Sequence, residues 1–118
     1  RACLDAPAVL APGETRLIPI GIAMEIPEGY VGLVFARSGL AVKKALALSN
    51  GVGVIDSDYT GEIKVGLVHL GAEPVTIQPG ERIAQLAVMP VLLPEIREVD
   101  ALDATARGAG GFGSTGAV

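Results

Sequence analysis

IPIGIAMEI, residues 18–26, places Ile18, Ile20, Ile22, Met24 and Ile26 on one side of an extended chain and Pro19, Gly21, Ala23 and Glu25 on the other. A period of two marks a half-buried strand, so a strand is expected over 18–26. The turn-forming PEG (27–29) separates it from YVGLVFA (30–36), a second run of β-formers. Outward from there, VGVI (52–55), EIKVGLVHL (62–70), PVTI (74–77) and RIAQLAVM (82–89) continue the pattern, with QPGE (78–81) as a turn before the last. Short strands punctuated by Gly and Pro predict an all-β sandwich or barrel. AVKKALAL (41–48) alone has helical character, enough for a turn or two. No internal repeat is visible.

A chain of 118 residues corresponds to one domain, able to bury roughly two-thirds of its unfolded surface. Half of it is apolar and only 3% aromatic, so the core is expected to consist of Val, Ile, Leu and Ala. A net charge of −4 argues against nucleic-acid binding, which draws on many Lys and Arg acting together, but leaves compact anions possible. Cys3 is the single cysteine; it excludes an internal disulfide, reads as a small buried hydrophobe, and fits a reducing, cytoplasmic setting. Apolar runs are broken before the roughly 18 residues of a membrane span, and no signal peptide opens the chain. VGLVHL and RIAQLAVMPVLL are apolar on both faces, more than one thin sandwich can hide, which favours a symmetric homo-oligomer.

The chemistry is carried by polar residues that interrupt the strands. In SNGVGVIDSDYTGE (49–62), Asn50 and Gly51 lead into an apolar strand that ends at Asp56, and Ser57-Asp58 turn the chain back through Tyr59 to Gly61. The segment reads as a hairpin. Asp56 then stands at the edge of a packed face, where partial desolvation raises a carboxylate's proton affinity; it is either a general base for water or a turn-capping Asp. ARSGLA (36–41) joins the guanidinium of Arg37, the hydroxyl of Ser38 and the approachable backbone of Gly39, either an anion site helped by the amides of a following helix or a surface Arg before a helix cap. In GERIAQL (80–86), Gln85 shares a strand face with Ile83 and Ala87, a buried amide that binds a ligand or makes a structural hydrogen bond. RGAGGFGSTG (107–116) closes the chain with Gly-rich sequence around one Phe, read as a disordered tail or as something that orders on a ligand. His69, the only histidine, reads as a strand residue.

ARSGLA, NGVGVIDSDYTGE, GERIAQL and RGAGGFGSTG, in this order, closely resemble motifs two to five of the trimeric dUTPase family, the deoxyuridine triphosphate nucleotidohydrolases. The resemblance implies a jelly-roll β fold assembled as a homotrimer with shared active sites. Its reaction is Mg²⁺-dependent hydrolysis of dUTP to dUMP and pyrophosphate, which keeps uracil out of DNA and supplies dUMP for thymidylate synthesis. By position, Asp56 is similar to the family's base, which deprotonates the water that attacks the α-phosphorus. Arg37, Ser38 and Gly39 match the phosphate segment, and Gln85 a residue that holds the phosphates and their water. Asn50, Gly53 and the backbone of Val54, Ile55 and Lys64 match positions around the uracil edge, and Tyr59 the ring that stacks on the deoxyribose. Arg107, Phe112, Gly113, Ser114 and Thr115 match a lid that grips the γ-phosphate, stacks on uracil and folds round the triphosphate. The implied division is a β domain over 1–106 and a lid over 107–118, with Mg²⁺ held through phosphates and water rather than by side chains.

The family's first motif, an Ala-Gly pair followed by Asp-Leu, falls before Arg1, and Ala36 stands where a proline is usual. A dCTP deaminase, of the same fold, needs a glutamate where this strand has Gly66. A non-catalytic nucleotide-sensing trimer would bind dUTP without releasing pyrophosphate.

Overall fold

The computed structural model describes residues 1–114 and 116. In it Ile18 and Ile26 are buried at the two ends of the opening stretch, as the alternation requires, but the chain between them is not one strand. The ordered elements are β1 (Ala8–Leu10), β2 (Thr15–Pro19), β3 (Tyr30–Phe35), α1 (Ser38–Lys44), β4 (Leu46–Leu48), β5 (Gly53–Ile55), β6 (Lys64–His69), β7 (Val75–Ile77) and β8 (Gln85–Pro90). β2 starts before Ile18 and ends at Pro19; beyond it Gly21 adopts φ +71°, where a Cβ would lie 2.9 Å from Cys3 Sγ. This left-handed residue breaks the period, and Ile22 is left half exposed at 50%.

Every strand pair is antiparallel. β1 pairs with β7, β6 lies between β2 and β4, and β3 lies between β5 and β8. The sheets close on one core, whose fully buried members Leu10, Ile18, Leu46, Leu67, Ile77 and Ile83 come from all parts of the chain. The result is the expected all-β architecture of jelly-roll type, with aliphatic side chains filling the interior.

Several local expectations need correction. The helix occupies Ser38–Lys44, not 41–48: Ala45 takes a left-handed C-cap conformation (φ 51°) whose N–H bonds Leu40 O, and the following Leu46–Leu48 is extended against β6. Tertiary pairing overrides the helical propensity of ALAL. The segment 49–62 is not a paired hairpin, because β5 pairs with β3 (Gly32↔Ile55, Val34↔Gly53) while β6 pairs with β2 and β4. Cys3 is exposed rather than buried. His69, as expected, is a strand residue, buried and satisfied: Nε2 donates to Glu73 O at 2.6 Å and Nδ1 accepts from the Gly71 N–H.

Beyond β8 the chain leaves the core. Val91 N–H still bonds Gly29 O at 2.9 Å, but residues 92–105 are exposed throughout, with Leu92 at 90% and Ile96 at 94%. The radius of gyration is 19.0 Å, against about 13–14 Å for a compact chain of this length, so this apolar segment is an arm rather than part of the body. Among the described residues no helix is long and apolar enough to cross a membrane.

Gly32, in the middle of β3, is closely covered: a Cβ there would lie 2.7 Å from Ile26 Cδ1 and 3.2 Å from Ile55 Cβ. Gly32→Ala is therefore expected to destabilise by about 1–3 kcal/mol through overpacking, read as a lower thermal midpoint; an unchanged midpoint would mean that β3 and β5 pack less tightly than described.

Candidate functional site

Because β5 and β6 belong to different sheets, the chain between them splays open. A cavity of about 460 Å³ fills the gap, lined by Asn50, Gly53, Val54, Ile55, Asp56, Tyr59 and Lys64 among others. Each has a structural reason to be there. β5 is the outer strand of its sheet, so one side of its backbone is left without a ladder partner, and this strand borders the cavity. Gly53 keeps the wall thin, since a Cβ would stand 3.0 Å from Val34 Cβ. Lys64 opens β6 opposite Pro19.

Tyr59 is pinned at the rim. Its hydroxyl donates to Glu62 O at 2.8 Å, and its own N–H bonds Asp56 O at 3.2 Å. The ring folds back over Gly61 and takes the space that a side chain would need there: a Cβ on Gly61 would stand 2.7 Å from Oη and 2.8 Å from Cζ. Asp56 lines the cavity but is exposed. The partial desolvation expected of it is not supplied by this chain's own packing, because the strand carrying it ends one residue earlier, at the sheet's edge.

Leu17, Leu48, Ile63, Val65 and Gly66 also line this cavity; the sequence names none of them as a site residue, and Gly66 only as the position where a dCTP deaminase has its glutamate. Gly66 offers a signal, since a glycine inside an apolar strand marks close approach; a Cβ there would lie 2.3 Å from Ser49 Oγ. Leu17 offers none, being an exposed residue of β2 brought opposite Gly66 by register.

The second group of expected site residues lies elsewhere. Arg37 is the N-cap of α1, with Ser38 and Gly39 in its first turn. Arg37 and Gly39 border a shallow depression with Lys43, Lys44, Glu81 and Arg82. Gln85, expected to be buried, is exposed, because β8 presents most of its length to the surface; its Nε2 donates to Ala36 O at 3.0 Å. It borders a further cavity of about 220 Å³ that shares Val34 and Val65 with the first. None of Arg37, Ser38, Gly39 and Gln85 lines the cavity that holds Asp56.

Glu81 is the one carboxylate of this region with a displaced acidity. Burial pushes its pKa up, but hydrogen bonds from Lys44 and the Gln78 N–H outweigh that and hold it below the ordinary carboxylate value. A lowered folded-state pKa contributes stability above the unfolded value and loses it as pH falls through the folded one, so the pair is intact at neutral pH.

The tail is a chain of local turns. Arg107 Nε donates to Gly110 O at 2.6 Å, Ser114 N–H to Gly111 O at 3.0 Å, and Phe112 is fully exposed at φ 50° beside Gly113 at φ 90°. Among the described residues these bonds stay within the segment, so it does not close over its own chain's cavity. Thr115 lies outside the described residues.

The chain is similar to known proteins along nearly all of its length. The family model for dUTPase matches residues 2–116. A deoxyuridine 5′-triphosphate nucleotidohydrolase of Desulfitobacterium hafniense is 54% identical over 117 residues, 98% of this chain and 78% of the relative. One of Rhizobium etli is 54% identical over 112 residues, 95% of this chain and 72% of the relative. The Staphylococcus bacteriophage 80alpha dUTPase with dUPNHPP is similar in structure at TM-score 0.86 and 31% identity, covering 93% of this chain and 80% of that one. A variant dUTPase from phage phi11 of S. aureus, whose structure concerns the coordination of a structural Mg(II) ion, follows at TM-score 0.77 and 26% identity over 84% of this chain and 80% of that one.

Gly61→Ala is expected to displace the Tyr59 ring from the rim and break its bond to Glu62 O. Changed Tyr59 ring resonances, with the Tyr59→Phe spectrum as reference for the lost bond, would register this; unchanged resonances would contradict the packing described.

Proposed function

This chain belongs to the dUTPase family, and from that premise we propose how its residues hydrolyse dUTP to dUMP and pyrophosphate. The observation that carries the reading is the splayed cavity between β5 and β6 with Asp56 on its wall. The unpaired edge of β5 offers backbone donors and acceptors to a pyrimidine edge, and uracil and cytosine exchange donor and acceptor there, so fixed backbone groups tell them apart. Asn50, Gly53 and Lys64 complete that face. Tyr59, held against Gly61, stacks on the deoxyribose and fills the space of a 2′-hydroxyl.

Asp56 takes a proton from the water that attacks the α-phosphorus. A new P–O bond forms as the bond to the bridging oxygen breaks, and pyrophosphate leaves with the electron pair. Arg37, Ser38 and Gln85 stabilise the charge that develops on the phosphate oxygens.

Because those residues lie away from Asp56 on one chain, the working site draws the two groups from different subunits of a homotrimer. The exposed apolar arm with Leu92, Leu93, Ile96 and Leu102 supports association, since such surface is rarely left to water. From a neighbouring subunit, residues 107–118 close as a lid: Arg107 reaches the γ-phosphate, Phe112 covers uracil, and Gly113, Ser114 and Thr115 wrap the triphosphate. Closure removes water from around Asp56 and supplies the desolvation that its own chain does not.

Among the described residues no three His, Cys, Asp or Glu side chains cluster to bind a metal; a lone cavity carboxylate suits a hard cation held mainly by phosphate oxygens and water. When bound, Mg²⁺ neutralises triphosphate charge.

Assayed with Mg²⁺ against dUTP, dCTP, dTTP and UTP, the protein is expected to release pyrophosphate from dUTP selectively; binding without release would point to a sensor instead. Asp56→Asn should lower kcat by about 10²–10⁴, the usual contribution of a general base, with nucleotide affinity retained. Full activity in that variant would remove Asp56 from the mechanism. Removing residues 107–118 should sharply reduce kcat while the oligomer survives, and unchanged turnover would dismiss the lid.

A further inference from the structure

α1 has seven residues and a single buried side chain, Leu40. Two turns of helix have no stability of their own, and one apolar anchor leaves such a helix free to tilt. What limits the tilt is a set of bonds to the segment 76–85. At the C-terminal end Lys44 Nζ donates to Thr76 O at 2.8 Å and to Glu81 Oε1, while Glu81 Oε2 accepts the Gln78 N–H at 2.9 Å. At the N-terminal end Arg37 Nη1 donates to Arg82 O at 2.8 Å and Gln85 Nε2 to Ala36 O at 3.0 Å.

The two ends differ in kind. The Arg37 and Gln85 bonds lie at the surface, although Arg37 itself is half-buried, and both side chains must turn to a triphosphate during turnover. The Lys44–Glu81 pair is partly buried, its side chains 29% and 19% exposed, and neither partner has a part in the chemistry described above. It is the end that can hold while the other lets go.

We infer that Lys44 and Glu81 are positioning residues for phosphate recognition: paired, they fix the tilt of α1 about Leu40 and with it the aim of Arg37 and Ser38, and hold the turn 78–81 that leads to Gln85. The inference rests on the phosphate role proposed for Arg37, Ser38 and Gln85. Its leverage follows from geometry: a tilt of about 10° around Leu40 moves Arg37, three residues away, by just under ~1 Å. A displacement of that size can cost up to about 100-fold in rate when it misaligns a reacting group. Loss of one partner also leaves a partly buried charge uncompensated, the most damaging way to break such a pair.

The test compares wild type with Lys44→Met, Glu81→Gln and Lys44→Arg, each as the full chain. Dissociation constants are measured by calorimetry for α,β-imido-dUTP with Mg²⁺ and for dUMP. Lys44→Met and Glu81→Gln are expected to weaken the triphosphate analogue by about tenfold, as a sub-ångström misalignment implies, and to leave dUMP within about twofold, since it relies chiefly on the uracil cavity. Lys44→Arg should restore most of the loss. A purely structural role would lower the active fraction without separating the two ligands, so equal weakening of both, or of neither, overturns the inference. Should Lys44→Met fail to fold, Glu81→Gln carries the test with shape and backbone bond preserved; failure of both makes the pair a stability element and overturns positioning. A wild-type protein that does not release pyrophosphate from dUTP would instead sink the functional reading on which the inference stands.

Discussion

β5 and β6 follow one another across residues 56–63 yet pair with different partners, β5 with β3 and β6 with β2 and β4. Strands joined this closely ordinarily zip together and fill the space between them with their own ladder. Here each is committed elsewhere, so the connection opens and leaves a lined cavity with an unpaired backbone edge. Three small residues keep it open. Gly66 sits against Ser49 and Gly61 beneath the Tyr59 ring, each with no room for a Cβ, and Gly53 sits against Val34, where a Cβ would be tight. The cavity proposed to take the pyrimidine is thus a consequence of topology, and the carboxylate at its wall is simply the residue that follows the last paired position of β5.

The same commitment leaves the chain incomplete by itself. The residues suited to phosphate stand on α1 and β8, outside the cavity of Asp56, and the last ordered strand leads into an apolar arm with nothing of its own chain beneath it. Both facts fit the proposed trimer, in which neighbouring copies cover the arm and join the two halves of the site. The Lys44–Glu81 pair belongs to this division as well, since it ties together elements of one half and does not reach the other.

Much of the fold is legible in the sequence. β3 and β6 lie where runs of β-formers place them, and Gly and Pro punctuate the strands as expected. The features that escape a local reading are set by distant contacts. No feature within SNGVGVIDSDYTGE says that Gly53–Ile55 prefers Gly32–Val34, some twenty residues earlier, to the strand that follows; register of that kind is settled by the whole core. ALAL looks helical until Leu46 and Leu48 are needed in the core, with Ala45 accepting a left-handed conformation to allow it. The apolar neighbours of Gln85 suggest burial, but β8 covers the core with only part of one face. Motifs supply the candidate site residues, whereas their separation on one chain is visible only in three dimensions.

The central claim, that a working site takes Asp56 and Arg37 from different subunits, is tested most directly by mixing two inactive proteins. Asp56→Asn and Arg37→Ala subunits, co-expressed at equal levels and assembled at random, should regain dUTP hydrolysis at about one quarter of the wild-type rate, because random assembly into closed cyclic trimers, parental ones included, leaves about that share of sites with both groups intact. Mixed trimers that remain as inactive as their parents would place both residues in the site of a single chain and contradict the account.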